Sequence, residues 1–342
     1  MADIVIQKKG KVGQITLSRP NALNALTYEM ITSMEKALIE WVNDTSVHAV
    51  LVDAEGPRAF CAGGDISELY KQGKRKNYEF GQKFWADEYR LNALIDIYPK
   101  PYVVFMQGFT MGGGVGISCH GSHRIVGESS RIAMPECGIG LVPDIGGSFL
   151  LTQRSTNLGI YLGITGSQMD ASDAIFAGFA DHFIPETKWN IVKHKLIQTG
   201  DPHFIEDIEE NLPQSDLSKN FDTIVEVFSE SDPMSIINGM VQYPELASSL
   251  ARLRKASPLS VLVTLYMLRM PEISQSVKAA LKTEYRYTAR AQEFTDFQEG
   301  IRAMVVDKDR NPIWKHSSLE AVTEEEALCL LKPLGSHLEL RL

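Results

Sequence analysis

The stretch YVVFMQGFTMGGGVGIS, residues 102–118, runs from five apolar residues into a cluster of glycines. A short apolar run of this kind is typical of a buried β-strand, and glycines after a strand let the backbone turn sharply. A second stretch also has an apolar run followed by glycines: HAVLVDAEG at residues 48–56 leads to the glycine loop FCAGGDISELY at residues 60–70. Together the two stretches predict an α/β protein in which glycines mark the points where strands lead into helices.

The residues around these two stretches supply the order of the remaining elements. IVIQKKGKVGQITLSRP, residues 4–20, predicts a β-hairpin because two β-rich runs flank a Lys-Gly turn. Apolar residues at helical spacing predict a helix over residues 27–43, and a second helix is predicted over residues 78–97. The resulting order, β-β-α-β-α-β-α, is typical of an α/β fold.

Beyond about residue 188 strand-like runs become rare and helical patterns dominate. The stretches at residues 243–255 and 275–294 predict long helices. In TEEEALCLL, residues 323–331, Thr323 is a predicted N-cap and Glu326 stands at the capping-box position. We therefore predict a core over residues 1–190 and a C-terminal helical region over residues 191–342, packed on the core because its apolar stripes require burial.

Composition and charge exclude several classes of function. The chain has 342 residues, is 44% hydrophobic and 23% charged, and carries a net charge of −9, which argues against a nucleic-acid partner. No apolar run is long enough to span a bilayer, and we expect no secretory signal. The four cysteines are sparse and lack C-x-x-C spacing, so we expect reduced thiols and a cytoplasmic location. The eight histidines show no metal-ligand spacing, and we expect no metal.

The glycine clusters admit several interpretations. A P-loop requires a Lys-Ser/Thr pair after its last glycine, which neither cluster has. A dinucleotide fingerprint fits Gly112 and Gly114 but places Ile117 at its third glycine. The backbone N–H groups of Gly64 and Gly113 could instead form an oxyanion hole, because two N–H groups aimed at one oxygen stabilise its negative charge. On the pattern alone, tight turns explain these glycines at least as well.

Two carboxylates stand in apolar surroundings in MPECGIGLVPDIGG, residues 134–147. Burying Glu136 and Asp144 there is costly unless something compensates the charge. Pro135 and Pro143 argue against a continuous helix, so we expect an irregular pocket wall that presents both carboxylates to one ligand. The alternatives are a salt-bridged structural role for Glu136 and helix capping by Asp144.

Four motifs together resemble the crotonase, or enoyl-CoA hydratase/isomerase, superfamily: RPNALNAL, AFCAGGDI, GFTMGGGVGIS and AMPECGIGLVPDIGG. The resemblance implies a spiral of β-β-α turns and an acyl-CoA substrate, with coenzyme A as part of the substrate and no separate cofactor. It places the oxyanion hole at the N–H groups of Gly64 and Gly113. It also implies that a short loop lies along the adenine and pantetheine of coenzyme A; the residues of this loop are Ala62, Gly63, Asp65 and Ile66.

The acids distinguish the reactions within the superfamily. Hydratases use two glutamates, of which Glu136 matches one, while the position of the other is Gly116 in this chain. The stretches FWADEYRLN and DFQEGIRAMVVDKDRNPIW extend a resemblance to the 3-hydroxyisobutyryl-CoA hydrolases over nearly the whole chain. The acidic positions of those hydrolases map onto Glu88, Glu136 and Asp144. The implied reaction is hydrolysis of 3-hydroxyisobutyryl-CoA in valine breakdown, and 3-hydroxypropionyl-CoA is a second implied substrate.

The roles of these acids follow from thioester chemistry, and several alternatives stay open. Glu136 could attack the carbonyl or act as the general base for water, Asp144 could hold or protonate a reacting group, and Glu88 could bind the 3-hydroxyl of the substrate. A solvated helical acid beside Arg90 is the alternative for Glu88. The competing functions are an enoyl-CoA hydratase or isomerase and a non-catalytic acyl-CoA-binding protein. The resemblance implies trimers, but the oligomeric state and the choice between bacterial cytosol and an organelle stay open.

Overall fold

The computed structural model describes residues 2–342. Its strands are β1 (Ile4–Lys9), β2 (Val12–Leu17), β3 (Ala49–Ala54), β4 (Ala59–Cys61), β5 (Tyr102–Met106), β6 (Phe109–Met111), β7 (His123–Val126), β8 (Arg131–Ala133) and β9 (His182–Phe183). Its α-helices are α1 (Tyr28–Val42), α2 (Ile66–Lys74), α3 (Tyr78–Asp96), α4 (Gly113–Gly116), α5 (Gly147–Thr152), α6 (Thr156–Thr165), α7 (Ala171–Ala177), α8 (Trp189–Thr199), α9 (Asp216–Lys219), α10 (Phe221–Val227), α11 (Pro233–Gln242), α12 (Ala247–Leu253), α13 (Pro258–Leu268), α14 (Val277–Phe294), α15 (Phe297–Ile301) and α16 (Glu324–Cys329). Short 3₁₀ turns lie at Pro20–Ala22, Glu136–Ile139, Glu186–Lys188, His203–Ile205, Pro244–Leu246, Pro271–Ser274 and Leu319–Ala321, and Arg302–Val306 forms a π-helical turn.

The chain divides into two compact units, and neither is one continuous stretch. Unit 1 comprises residues 2–64, Arg90–Ala133 and Gln168–Ser218; unit 2 comprises Asp65–Tyr89, Met134–Ser167 and Lys219–Leu342. This grouping differs from the predicted boundary at residue 190, because segments remote in sequence pack together within each unit and both units draw on residues 1–190.

Unit 1 contains two sheets, which receive successive strands in alternation from β3 onward. One sheet has the order β1-β2-β3-β5-β7-β9 and the other has the order β4-β6-β8. Neighbouring strands pair in parallel except β1 and β2, which form the predicted antiparallel hairpin. From β3 to β8, each pass of the chain adds one strand to each sheet before a helical segment follows. This path confirms the predicted α/β class and the spiral of β-β-α turns.

The core of unit 1 contains the two apolar strands β3 and β5. Every residue of β5 is buried, as expected for a strand that has parallel neighbours on both sides. Helix α8 packs against the six-stranded sheet through Trp189, Val192 and Leu196. Helix α1 confirms the first predicted helix, since Thr27 caps it by accepting a hydrogen bond from the Met30 N–H at 3.2 Å.

Unit 2 is helical over its described residues, and no strand follows β9 in the described chain. Helices α3 and α14 confirm the predicted helices at 78–97 and 275–294. Thr323 caps α16 by accepting a bond from the Glu326 N–H at 3.2 Å, whereas the Glu326 carboxylate binds Lys315 and His316. None of the helices within residues 2–342 is both long and apolar enough to cross a membrane.

Candidate active site

Unit 2 brings together the three acids that the sequence predicted to act on the substrate. Glu88 lies in α3, Glu136 begins a 3₁₀ turn, and Asp144 lies in the loop before α5. All three are at most 4% exposed. Burial, and after it the charge of Asp144, raises the pKa of Glu88 and of Glu136, so each glutamate lies within electrostatic range of Asp144. The absence of a continuous helix over residues 134–147 is confirmed, and a pocket wall that presents both carboxylates to one ligand stays a prediction.

Two of these carboxyl groups have an oxygen with no partner. Oε1 of Glu88 and Oε2 of Glu136 are buried without a hydrogen bond to any described residue. Burial, followed by the charge of Asp144, raises the pKa of both groups well above the usual value. Because buried polar atoms are almost always satisfied in native proteins, these two oxygens indicate a place where a ligand or water supplies the partner.

The structural alternatives for both glutamates are wrong. Oε2 of Glu136 is buried without a hydrogen-bond partner among residues 2–342, and no cationic group lowers its pKa, so Glu136 is not a salt-bridged structural acid. Glu88 is buried rather than solvated, and Arg90 pairs with Glu35 instead, at 3.1 Å between Nε and Oε1. The sequence could not show this burial, since a glutamate on a helix is exposed by default.

Asp144 has a different environment from the two glutamates. The Tyr89 hydroxyl donates a hydrogen bond of 2.7 Å to Oδ2 of Asp144 and lies 3.2 Å from Oγ1 of Thr288. Burial raises the pKa of Asp144 to about 7, and the bond from Tyr89 opposes that rise. The Asp144 pKa therefore lies close to neutral pH, and the Glu136 pKa is raised as well. Two carboxyl groups in different environments can serve as proton acceptor and proton donor in one reaction.

The prediction that Asp144 caps the following helix is wrong. Helix α5 begins at Gly147, its N-cap position is Gly146, and no side chain from the loop itself caps it. The buried N–H groups of Gly146 and Ser148, at the start of this helix, instead donate to the carboxyl group of Glu284 on α14. Asp144 is thus free of a capping role, and its side chain is directed to Tyr89.

Glu284 is a fourth acid of this cluster, and the sequence analysis missed it. It is fully buried, and burial raises its pKa to about 8, with hydrogen bonds from Ser148 and Gly146 opposing the rise. A signal was present in the sequence: Leu281 and Thr288 lie three residues before and four residues after Glu284, on the same face of a predicted helix. A glutamate on the buried face of a helix indicates a polar partner inside the protein.

Gly64 and Gly113, the predicted oxyanion-hole residues, lie in unit 1. The loop of Gly63 approaches the start of α4, since a Cβ built on Gly63 would lie 4.0 Å from the Gly113 nitrogen. Within residues 2–342, neither the Gly64 N–H nor the Gly113 N–H donates a hydrogen bond to another backbone group. A Cβ on Gly114 would lie 2.3 Å from the carbonyl oxygen of Cys61, so only glycine permits this close approach of α4 to β4.

The loop predicted to line the coenzyme A adenine and pantetheine has a structural role as well. Asp65 is the N-cap of α2 and accepts a hydrogen bond of 3.3 Å from the Ser67 N–H. Ala62 donates its N–H to the Leu23 carbonyl at 3.0 Å. Ala62 and Ile66 stay partly exposed while Gly63 is buried. Contact of this loop with coenzyme A remains a prediction.

The cysteines that flank the glycine loops are poor candidates for a nucleophile. Cys61 and Cys119 are buried, and burial raises the pKa of the Cys119 thiol to about 11. A thiol with a raised pKa has little of the thiolate that nucleophilic attack requires. Acid–base chemistry at the carboxylates is what the described residues of unit 2 can perform.

Comparison with known proteins places the chain in a family. The sequence profile described as enoyl-CoA hydratase/isomerase matches residues 12–331. The chain is 36% identical to a protein named 3-hydroxyisobutyryl-CoA hydrolase, mitochondrial, from Rattus norvegicus, over 98% of this chain and 90% of that one. The mitochondrial location is that of the rat protein, and the cytoplasmic location of this chain stays a prediction.

Two solved structures are similar over the full chain. The structure of an enoyl-CoA hydratase from Rhodobacter sphaeroides 2.4.1 has a TM-score of 0.94 and 47% identity, and covers 100% of both chains. The structure of a carnitinyl-CoA dehydratase from Mycobacterium thermoresistibile has a TM-score of 0.94 and 37% identity, over 100% of this chain and 99% of that one. Together with the matching profile, these similarities show that the chain belongs to the enoyl-CoA hydratase/isomerase family, which is also called the crotonase family.

Proposed function

We propose that this chain hydrolyses a coenzyme A thioester, with 3-hydroxyisobutyryl-CoA as substrate and 3-hydroxyisobutyrate and coenzyme A as products. The observation that carries the proposal is the cluster of buried carboxyl groups, in which Glu88 and Glu136 each have an unpartnered oxygen and burial raises the pKa of Asp144 to about 7. The full-length similarity to proteins named for this hydrolysis supports the choice of reaction and substrate, and with it a role in valine breakdown.

The proposed mechanism uses the two acids for different steps. Either direct attack by Glu136 or activation of water by Glu136 requires its ionised form. We assign Asp144 to exchange a proton with Glu136 and then to supply a proton to the departing thiolate. If Glu136 attacks the carbonyl directly, the thiolate leaves, and water then hydrolyses the mixed anhydride to release the carboxylic acid and restore Glu136. The N–H groups of Gly64 and Gly113 are assigned to the carbonyl oxygen, where they stabilise the charge that develops during attack.

We assign Glu88 to substrate recognition. Its buried, unpartnered Oε1 can accept a hydrogen bond from a hydroxyl group of the substrate. A substrate without that hydroxyl leaves the oxygen unsatisfied, which costs binding energy. Glu88 thus gives a physical reason for a preference for 3-hydroxyacyl over plain acyl chains.

Hydration of an enoyl-CoA is the second candidate, since the Rhodobacter structure with 47% identity is named a hydratase. The residue at position 116 argues against it. Addition of water across a double bond in this family uses a second glutamate there, whereas this chain has Gly116, buried in α4 and without a side chain. The proposed hydrolysis requires no group at that position.

The test is the release of free thiol from 3-hydroxyisobutyryl-CoA by the purified protein. We expect wild type to release thiol and Glu136→Gln to lose that activity by at least about a hundredfold, as is usual when a general base or nucleophile is removed. Glu293→Gln, an exposed position on α14, is the matched control and should retain full activity. Thiol release that survives in Glu136→Gln would contradict the assignment, and binding of acyl-CoA without any turnover would favour a non-catalytic protein.

A further inference from the structure

We propose that Glu284 is a positioning residue for Asp144: it holds the loop of residues 144–148 in the strained conformation that presents the Asp144 carboxylate. The inference rests on the proposed function for the role of Asp144. Glu284 stands 140 residues after Asp144 in the chain, and nothing in the sequence relates the two.

The Glu284 carboxylate binds the loop through both of its oxygens. Oε2 accepts a hydrogen bond from the Gly146 N–H at 2.8 Å, and Oε1 accepts one from the Ser148 N–H at 3.0 Å. The Ser148 hydroxyl also donates to Oε1. Glu284 and Ser148 are both fully buried. Water therefore does not compete for these three bonds.

The loop that Glu284 holds is under backbone strain. Ile145, directly after Asp144, has a φ of +58°, and Gly146 has a φ of +75°. A β-branched residue with positive φ is a rare conformation that persists only where the surroundings enforce it. Asp144 itself contributes one enforcing bond, since its carbonyl accepts the Gly147 N–H at 2.7 Å. The N–H groups of Gly146 and Ser148, on either side of Gly147, donate to Glu284 and add to this restraint.

The chemistry of the helix start explains why a carboxylate stands at position 284. The first N–H groups of any helix lack partners within that helix, and the N-cap of α5 is a glycine with no side chain. A carboxylate from α14 supplies the acceptors that a local Ser, Thr or Asp would otherwise provide. Asp144 is thereby released from capping, and its side chain stays available for chemistry.

The same helix restrains the neighbours of the site. The Tyr287 hydroxyl donates to the Gly140 carbonyl at 3.1 Å, in the loop between Glu136 and Asp144. Thr288 lies beside the Tyr89 hydroxyl that binds Asp144. Residues 284, 287 and 288 share one face of α14, so this helix orders both the loop of Glu136 and the loop of Asp144.

Glu284→Gln tests the proposal. The Gln amide group would point an N–H at the Gly146 or Ser148 N–H, so at least one bond is lost and the loop can relax. A small displacement of a reacting group costs as much as about a hundredfold in rate. We expect kcat for thiol release to fall about 10- to 100-fold while KM changes less than about threefold, because substrate recognition is assigned to other residues. Glu284→Asp, which keeps the carboxylate, should recover part of kcat.

Two further measurements keep the test decisive. Hydrogen–deuterium exchange should show faster exchange at the Gly146 and Ser148 amides in Glu284→Gln, and this readout does not depend on which reaction the enzyme performs. Asp173→Asn is the matched control, since Asp173 is also a buried carboxylate and accepts the Leu217 N–H at 3.0 Å in unit 1. The Asp173→Asn substitution should lower the stability of the protein without lowering kcat.

The outcomes separate the two proposals. If wild type releases no thiol, the proposed function fails, while faster amide exchange in Glu284→Gln still supports the restraint of the loop. If wild type is active and folded Glu284→Gln has unchanged kcat and unchanged exchange at both amides, the positioning role is wrong. If Glu284→Gln does not fold, Ser148→Ala removes only the hydroxyl bond and should lower kcat several-fold; unchanged kcat in that variant would overturn the proposal.

Discussion

Replacing Asp144 with asparagine should stabilise the protein at neutral and alkaline pH while it lowers activity. The pKa of Asp144 is raised from 3.8 to about 7 in the folded protein, chiefly by burial. The folded state therefore binds more protons than the unfolded state between these two values, and the free energy of unfolding falls as the pH rises through that window. A shift of about three units, at about 1.4 kcal/mol each, corresponds to roughly 4 kcal/mol at pH values above the folded pKa.

The measurement is urea-induced unfolding, followed by circular dichroism, at several pH values from about 4 to about 8. Near the lower limit Asp144 is protonated in the folded state and about half protonated in the unfolded state, so the free energies of unfolding of wild type and Asp144→Asn should differ by less than about 1 kcal/mol. Towards the upper limit the variant should become more stable by up to roughly 4 kcal/mol. Asp222→Asn, at an exposed position on α10, is the control and should follow wild type. A difference between Asp144→Asn and wild type that stays constant with pH would refute the reasoning.

Three further substitutions test other parts of the site. Tyr89→Phe removes the hydrogen bond that opposes the raised pKa of Asp144, so the acid limb of the activity profile should move to higher pH; an unmoved limb would contradict the role of Tyr89. Glu88→Leu, which removes the acceptor oxygen, should reduce the preference for 3-hydroxyisobutyryl-CoA over isobutyryl-CoA in kcat/KM by roughly tenfold or more, and an unchanged ratio would exclude recognition of the hydroxyl by this residue. Gly114→Ala should lower the melting temperature and thiol release together, because its Cβ would lie 2.3 Å from the Cys61 carbonyl oxygen; a variant as stable as wild type would show that the two loops can separate.

The local elements of the fold could be predicted from the sequence because their signals are local. The apolar run at residues 102–106 and the hairpin at residues 4–17 are strands in the structure, and Thr27 and Thr323 cap helices as predicted. The grouping of segments into units could not be predicted. The grouping depends on packing between stretches far apart in the chain, and the local spacing of apolar residues does not indicate such packing.

The candidate site shows the same division between local and distant signals. Glu136 and Asp144 stand out because acids are rare among prolines, glycines and aliphatic residues, and both are buried in the carboxylate cluster. Their raised pKa values could not be predicted, since these depend on burial, on the bond from Tyr89 to Asp144 and on the charge of Asp144 near Glu136. The capping prediction for Asp144 failed for a related reason: the acceptor for the start of α5 comes from Glu284, on a distant helix.

The most direct test of the central claim compares two reactions of the wild-type protein under the same conditions. Thiol release from 3-hydroxyisobutyryl-CoA reports hydrolysis, and loss of the absorbance of crotonyl-CoA without thiol release reports hydration. The proposed hydrolase function predicts rapid thiol release and hydration slower by at least about a hundredfold, because Gly116 supplies no second carboxylate for the addition of water. Rapid loss of crotonyl-CoA absorbance with no release of thiol from 3-hydroxyisobutyryl-CoA would contradict it.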